Sequence, residues 1–184
     1  MNLPNKLTLT RIILVPVFMV FVSLTQIGTE DFNPTWYLVA GIIFAAASFT
    51  DFLDGHLARK WNMVTDFGKF ADPLADKLMV ASALMSLCLA GMIPPLFAYI
   101  YVIKESIQII GSSLLYKRLK DMPPSNIWGK AATFSIYAAV TLTMLVTIPK
   151  AAIWFLYGCC TLLVLGAFSS YITVGIRLFK ESIK

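Results

Sequence analysis

The stretch from Asp51 to Asp76 reads DFLDGHLARKWNMVTDFGKFADPLAD, and it holds five of the ten acidic residues in a chain of 184. Apolar runs flank it on both sides. Charges in or beside a membrane-spanning helix are costly and mark function before structure. Asp51 and Asp54 stand three positions apart, and Asp72 and Asp76 four apart, so each pair projects from one face of a helix. The intervening Lys60–Phe67 is short enough to set two such helices side by side and antiparallel. Four carboxylates then converge. Left bare they repel one another and drift toward protonation. A hard divalent cation relieves that repulsion, and an all-oxygen set suits Mg²⁺ or Mn²⁺. Two ions in such a site can hold a diphosphate for in-line displacement.

Outward from this stretch the chain is strongly apolar: 58% hydrophobic, 14% charged, with a mean hydropathy of +0.76. A soluble domain carries about 25% charged residues, so the bilayer is the expected solvent. Six candidate spans follow, at 12–28, 36–59, 69–92, 96–117, 130–149 and 152–177. The turns between them carry breakers: Gly28 and Pro34, Asn62, Pro94 and Pro95, Pro123 and Pro124, and Pro149. The opening segment through Arg11 is too polar to span and reads as a short interfacial amphipathic helix. No linker or low-complexity tract divides the chain, so residues 1–184 read as a single membrane domain. The expected fold class is an all-α integral membrane protein of six transmembrane helices.

Lysines and arginines set the orientation. With the N-terminus inside, thirteen of the fifteen basic residues fall at cytoplasmic ends and turns. Only Lys150 lies in an outer turn, and Lys104 sits within the fourth span. Both termini are therefore expected in the cytoplasm, with the aspartates at the cytoplasmic face. The net charge of +5 fits anionic lipid headgroups as partner, and a chain this apolar is not expected to bind nucleic acid. Cys88, Cys159 and Cys160 lie in apolar segments without metal-site spacing and read as small buried hydrophobes. The lone His56 cannot build a histidine metal site. No small-residue cleavage site follows the first apolar run, which reads as a retained span.

Small residues complete the constellation. Gly55, Ala58 and Gly68 allow close approach of a helix or ligand, and Arg59 is a natural partner for phosphate oxygens. Asp66 suits a helix cap. The string Asp51-x2-Asp54-Gly55-x2-Ala58-Arg59-x8-Gly68-x3-Asp72-x3-Asp76 resembles the full signature of the CDP-alcohol phosphotransferases, matching at all eight positions. The resemblance covers the whole chain. It implies that Asp51, Asp54, Asp72 and Asp76 ligate two divalent metals and that Asp76 is the general base on the acceptor hydroxyl. It further implies that Asp51, Asp54, Gly55, Ala58, Arg59 and Gly68 hold the CDP moiety of a CDP-diacylglycerol donor. CMP would be the leaving group, and a homodimer the usual assembly.

The signature leaves the acceptor open. The start Asn2-Leu3-Pro4-Asn5-x-Leu7-Thr8-x2-Arg11, and Ala58-Arg59-Lys60-Trp61-Asn62, resemble bacterial phosphatidylglycerophosphate synthases, whose acceptor is glycerol 3-phosphate. That acceptor's phosphate requires cations, and Lys104 and Lys130 are the candidates. Those synthases usually show Arg-Glu where this chain has Lys104-Glu105, and lysine lacks the bidentate fork. Pairing of Lys104 with Glu105 is the structural alternative; for Lys130 it is an anchor at the membrane edge. The segment after Tyr116 also resembles cardiolipin synthases of the CDP-alcohol type, with phosphatidylglycerol as acceptor. An ion carrier would place its acids near the bilayer midplane and repeat its broken helices. Here the acids stand at one edge and no repeat occurs. The expected setting is the cell membrane of a bacterium.

Overall fold

The computed structural model describes the backbone of residues 3–26, 29–60, 66–119 and 127–181, and the side chains of 9–26, 29–50, 74–113 and 127–177. Within these residues there are six helices and no strand: α1 Leu3–Leu24, α2 Pro34–Lys60, α3 Asp66–Leu89, α4 Pro95–Leu119, α5 Ile127–Leu145 and α6 Lys150–Glu181. Contacts divide the chain into two compact units. The first comprises Met1–Met92 with Val140–Ile148, the second Ile93–Ala139 with Pro149–Lys184.

Local chemistry sets the helix ends. Asn33 caps α2: its Oδ1 accepts from the backbone N–H of Thr35 at 3.0 Å and of Trp36 at 3.3 Å. Pro34 follows at the first helical position, where its missing N–H costs nothing. At the end of α1, Gln26 takes a left-handed φ of 48°, and the N–H of Asn33 closes the turn onto the carbonyl of Thr25 at 2.9 Å. The end of α3 is a Schellman motif. Gly91 has φ 64°, its N–H reaches Cys88 O at 2.9 Å, and that of Met92 reaches Leu87 O at 3.0 Å. A residue with a Cβ is strained there, and the following Pro94 and Pro95 cannot prolong the helix.

In the first unit α1 packs against both α2 and α3, and α2 and α3 touch each other. Phe18 lies against Phe44 at 6.0 Å between ring centroids, and Phe21 against Trp36 at 5.5 Å. As α1 advances, its partners on α2 recede, so the two helices are antiparallel. Ala40, Phe44 and Ala47 form the buried stripe of α2. On α3 the buried positions are Ala75, Met79, Val80, Ala83, Leu84 and Leu87, spaced as one helical face. Gly41 lets the end of α5 approach: a Cβ there would meet Leu145 Cδ2 at 2.9 Å and Met144 Cβ at 3.0 Å. Tyr37 donates from its hydroxyl to Thr143 O at 3.0 Å across the same contact.

In the second unit α4 packs on α6. Phe97 meets Tyr157 edge-on at 5.0 Å, and Ser112 Oγ meets Tyr171 OH at 2.8 Å. Both partners advance together, so α4 and α6 run parallel. Ile153, Tyr157, Cys160, Val164 and Ala167 make the buried stripe of α6. Cys160 donates weakly to Ser135 O on α5 at 3.7 Å. Cys160 is the buried small hydrophobe that the sequence leads one to expect, whereas Cys159 is exposed.

One expectation is corrected. The segment before residue 12 is no separate interfacial helix, because α1 runs unbroken from Leu3 to Leu24. Pro4 falls in its first turn, where proline is tolerated, and no glycine interrupts it. Pro16 is accommodated within the helix. Among the described residues, Lys150–Arg177 of α6 is long and apolar enough to cross a membrane, with a hydropathy of 2.0. Leu9–Leu24 and Pro34–Thr50 are shorter apolar helices.

Candidate active site

Asp76 is the one signature aspartate whose side chain is described. It stands on α3 four residues before Val80, seven before Ala83 and eleven before Leu87, all buried. That spacing puts it on the inward stripe of the helix. The residue is partly buried, and its Oδ1 is sealed from solvent. A carboxylate in such a place costs free energy unless charge or hydrogen bonds compensate it, and Asp76 is engaged by another group. This is where a functional carboxylate is expected, because packing alone would place an apolar side chain here.

The remaining signature positions are known by their helices. Asp51, Asp54, Gly55, Ala58 and Arg59 belong to the last three turns of α2, and Gly68 and Asp72 to the first two turns of α3. Their side chains lie outside the described residues. The numbering of the α2 stripe, Ala40, Phe44, Ala47, continues by helical period through positions 51, 54 and 58. Residues 61–65, which join α2 to α3, also lie outside the described residues. Among those described, no group of three or more His, Cys, Asp or Glu side chains forms a metal cluster.

The two lysines proposed for the acceptor phosphate belong to the second unit. Lys104 Nζ donates to Glu105 Oε1 at 2.5 Å, with the two side chains 11% and 13% exposed. The Lys104–Glu105 alternative is therefore realised. Lys130 is exposed in the first turn of α5.

The structure adds a residue that the sequence reading used for orientation and for the resemblance of the opening segment, but not as part of a site. Arg11 is 3% exposed, a buried cation in the helix that packs on both α2 and α3. Its signal was present: an arginine two turns into a helix, followed at once by the apolar run IILV, does not sit at a water-facing end.

The described residues define a helical protein with one helix long and apolar enough to cross a membrane and a partly buried carboxylate on the inward stripe of α3. Comparison with known proteins gives the particular family. Residues 1–165 match the family model described as CDP-alcohol phosphatidyltransferase. The chain belongs to the CDP-alcohol phosphatidyltransferase family. A CDP-diacylglycerol--glycerol-3-phosphate 3-phosphatidyltransferase of Bacillus subtilis is 38% identical over 154 residues, covering 80% of this chain and 79% of the relative. One of the same name from Rickettsia bellii is 31% identical over 144 residues, 78% of this chain and 75% of the relative. A cardiolipin synthase (CMP-forming) of Streptomyces coelicolor is 30% identical over 145 residues, 79% of this chain and 66% of the relative.

Proposed function

We propose that the chain transfers the phosphatidyl group of CDP-diacylglycerol to glycerol 3-phosphate, giving phosphatidylglycerophosphate and CMP. The observation that carries this reading is Asp76 on the inward stripe of α3, on a helix touching the α2 that bears the other half of the signature. Similarity to relatives of that activity over four-fifths of the chain supports it.

The residues suit a divalent metal pair. The donor set is all carboxylate, and one donor, Asp76, has an oxygen withdrawn from solvent. Asp51, Asp54, Asp72 and Asp76 would hold two ions, Mg²⁺ or Mn²⁺, which when bound neutralise charge on the donor's diphosphate. Gly55, Ala58 and Gly68 lack the bulk that would keep a cytidine from the helix backbones, and an arginine such as Arg59 suits phosphate oxygens. The primary hydroxyl of the acceptor is a weak nucleophile. Asp76 takes its proton as the oxygen attacks the phosphorus that carries diacylglycerol. The bond from that phosphorus to the bridging oxygen breaks, and CMP leaves with the electron pair.

The six helices read as six spans, with a short interfacial opening replaced by the first turns of α1. Both termini and the aspartates face the cytoplasm in a bacterial membrane, and the chain works as a homodimer. Large apolar side chains turned outward, such as Phe155 at 75% and Leu162 at 72% exposure, support a lipid surround.

A second reading, phosphatidylglycerol as acceptor with cardiolipin as product, is favoured by one observation: Glu105 already engages Lys104, the first candidate cation for an acceptor phosphate. Purified protein supplied with CDP-diacylglycerol and Mn²⁺ or Mg²⁺ is offered labelled glycerol 3-phosphate and phosphatidylglycerol side by side. CMP release with glycerol 3-phosphate is expected. Release only with phosphatidylglycerol selects the second reading, and release with neither sinks both.

A further inference from the structure

The groove between α4 and α6 carries an inference beyond the signature. Its volume is about 280 Å³, and Phe97, Ile100, Trp154, Tyr157, Gly158 and Leu162 line it. Tyr157 is fully buried and packs edge-on against Phe97, so this wall is fixed. Gly158 leaves the trough open, since a Cβ there would meet nothing within 4 Å. Thr161, also in the lining, donates its hydroxyl to Tyr157 O at 2.8 Å. A lining so apolar, with that hydroxyl already bonded, suits hydrocarbon. From Trp154 to Leu162 the trough rises about 12 Å at 1.5 Å per residue, most of the ~15 Å hydrocarbon depth of one leaflet.

The rim where the two helices begin is positive. Lys150 is exposed one turn before the exposed Trp154, and the i,i+4 spacing puts both on one face of α6. A helical side chain leans toward the helix N-terminus, so the ammonium extends outward past the first turn. Because α4 and α6 run parallel, both begin at this edge, and their free N–H groups add partial positive charge. Neither first turn holds an acidic residue, and none occurs in 91–103 or 146–165. An apolar trough under a positive rim matches an anionic phospholipid, hydrocarbon within and phosphate at the edge. A second copy fits less well. Two copies meeting here about a twofold axis along the membrane normal would set Lys150 against its counterpart, and apolar faces gain little from each other over lipid.

We infer that this groove binds an anionic phospholipid, with one acyl chain between α4 and α6 and the headgroup phosphate at Lys150. The inference rests on reading α4 and α6 as membrane spans, and does not depend on which acceptor the aspartates serve. On the orientation proposed above, the lipid belongs to the outer leaflet.

The experiment is native mass spectrometry of the delipidated full-length protein in a neutral detergent, offered dioleoylphosphatidylglycerol or dioleoylphosphatidylcholine. Wild type, G158L, K150E and K150R are compared, with oligomeric state and CMP release recorded beside lipid binding. Wild type is expected to hold phosphatidylglycerol about fivefold more tightly than phosphatidylcholine, the worth of one lysine near an anionic surface. G158L fills the trough and should weaken both lipids by about tenfold or more, the scale of one overpacked side chain. K150E should abolish the preference for phosphatidylglycerol, and K150R should keep it. Leucine is a better helix former than glycine, and glutamate in a first turn suits the helix dipole, so neither change disfavours the fold. Equal binding of the two lipids by wild type, or undiminished phosphatidylglycerol binding in G158L, overturns the inference. So does conversion of a wild-type dimer to monomer in G158L, which would assign the groove to a second copy. Loss of CMP release in step with lipid binding also overturns it, because the lipid would then occupy the catalytic site. Should G158L fail to fold, K150E decides: a lost preference upholds the site, and an unchanged one removes it. A wild type without CMP release sinks the proposed reaction and leaves lipid binding to be read by mass, whereas one soluble without detergent removes the spans and this inference with them.

Discussion

The two units of this chain place their charges differently. The first, built on α1, α2 and α3, buries charge: Arg11 at 3% exposure, and Asp76 on a stripe otherwise filled by Ala75, Met79, Val80 and Leu87. The second, built on α4 and α6 with the first part of α5, withdraws charge from solvent as a local pair, Lys104 and Glu105 at 11% and 13% exposure, and is otherwise held by apolar and neutral polar contacts. These are Phe97 on Tyr157, Cys160 on Ser135, and Tyr171 between Ser112 and the carbonyl of Gln108 at 3.2 Å. An open, mainly apolar groove of about 280 Å³ lies among Phe97, Ile100, Trp154, Tyr157 and Leu162. Its one described ion pair is local, between the neighbours Lys104 and Glu105. Buried charge is retained where chemistry needs it and is otherwise replaceable by packing. On the function proposed above, the chemistry belongs to the first unit and the second supports it.

The sharpest way to break that division is Asp76→Asn. A nearly isosteric change removes the base and one metal donor, so turnover should fall by about 100- to 10,000-fold while the melting temperature holds. Near-normal CMP release would remove Asp76 from the reaction. Asp51→Asn should fall next, with the Mn²⁺ requirement raised about 10–100-fold. An unchanged metal titration would count against ligation by Asp51. Lys104→Ala tests whether the second unit contributes to substrate binding at all. If Lys104 holds the acceptor phosphate, KM for glycerol 3-phosphate should rise about tenfold, the equivalent of ~1.4 kcal/mol, with KM for CDP-diacylglycerol nearly constant. An equal rise in both would reduce Lys104 to its pairing with Glu105.

Much of this was legible in the sequence, for identifiable reasons. Helix number followed from the breakers, since Pro34, Pro94, Pro95 and Pro149 all stand at or beside helix starts in the structure. Boundaries moved where capping chemistry outweighs hydropathy. Asn33 and Pro34 start α2 two residues before the apolar run, and the left-handed Gln26 stops α1 short of Gly28. The opening segment was misread because its polarity suggested an interface, whereas helix continuity depends on the absence of a breaker between Pro4 and Pro16. The aspartate spacing was readable because i,i+3 and i,i+4 intervals have one meaning on a helix. The burial of Arg11 was passed over, because counting basic residues assigns a side and says nothing of depth, although the apolar run directly after it carried the signal.

Packing supplies the two smallest tests, one in each unit. Gly41→Ala drives a Cβ to 2.9 Å from Leu145 Cδ2 and 3.0 Å from Met144 Cβ. The leucine tip can turn aside, but the methionine Cβ is fixed to the backbone of α5. Overpacking of this kind costs about 1–3 kcal/mol, and thermal unfolding in detergent should report it. Tyr37 would lose its bond to Thr143 O if the helices separate. In the second unit Tyr171→Phe removes the hydroxyl that meets Ser112 and donates to the carbonyl of Gln108. The ring stays, so the close approach of α4 at Gly111, where a Cβ would lie 3.2 Å from that hydroxyl, is relaxed rather than broken. Interhelical hydrogen bonds between apolar helices are worth roughly 0.6 kcal/mol, and Ser112 can turn to a carbonyl of its own helix. The melting temperature should therefore fall by only a degree or two at most, with kcat and both KM values unmoved. A large loss of activity in Tyr171→Phe would carry the chemistry into the second unit and undo the division drawn between the two.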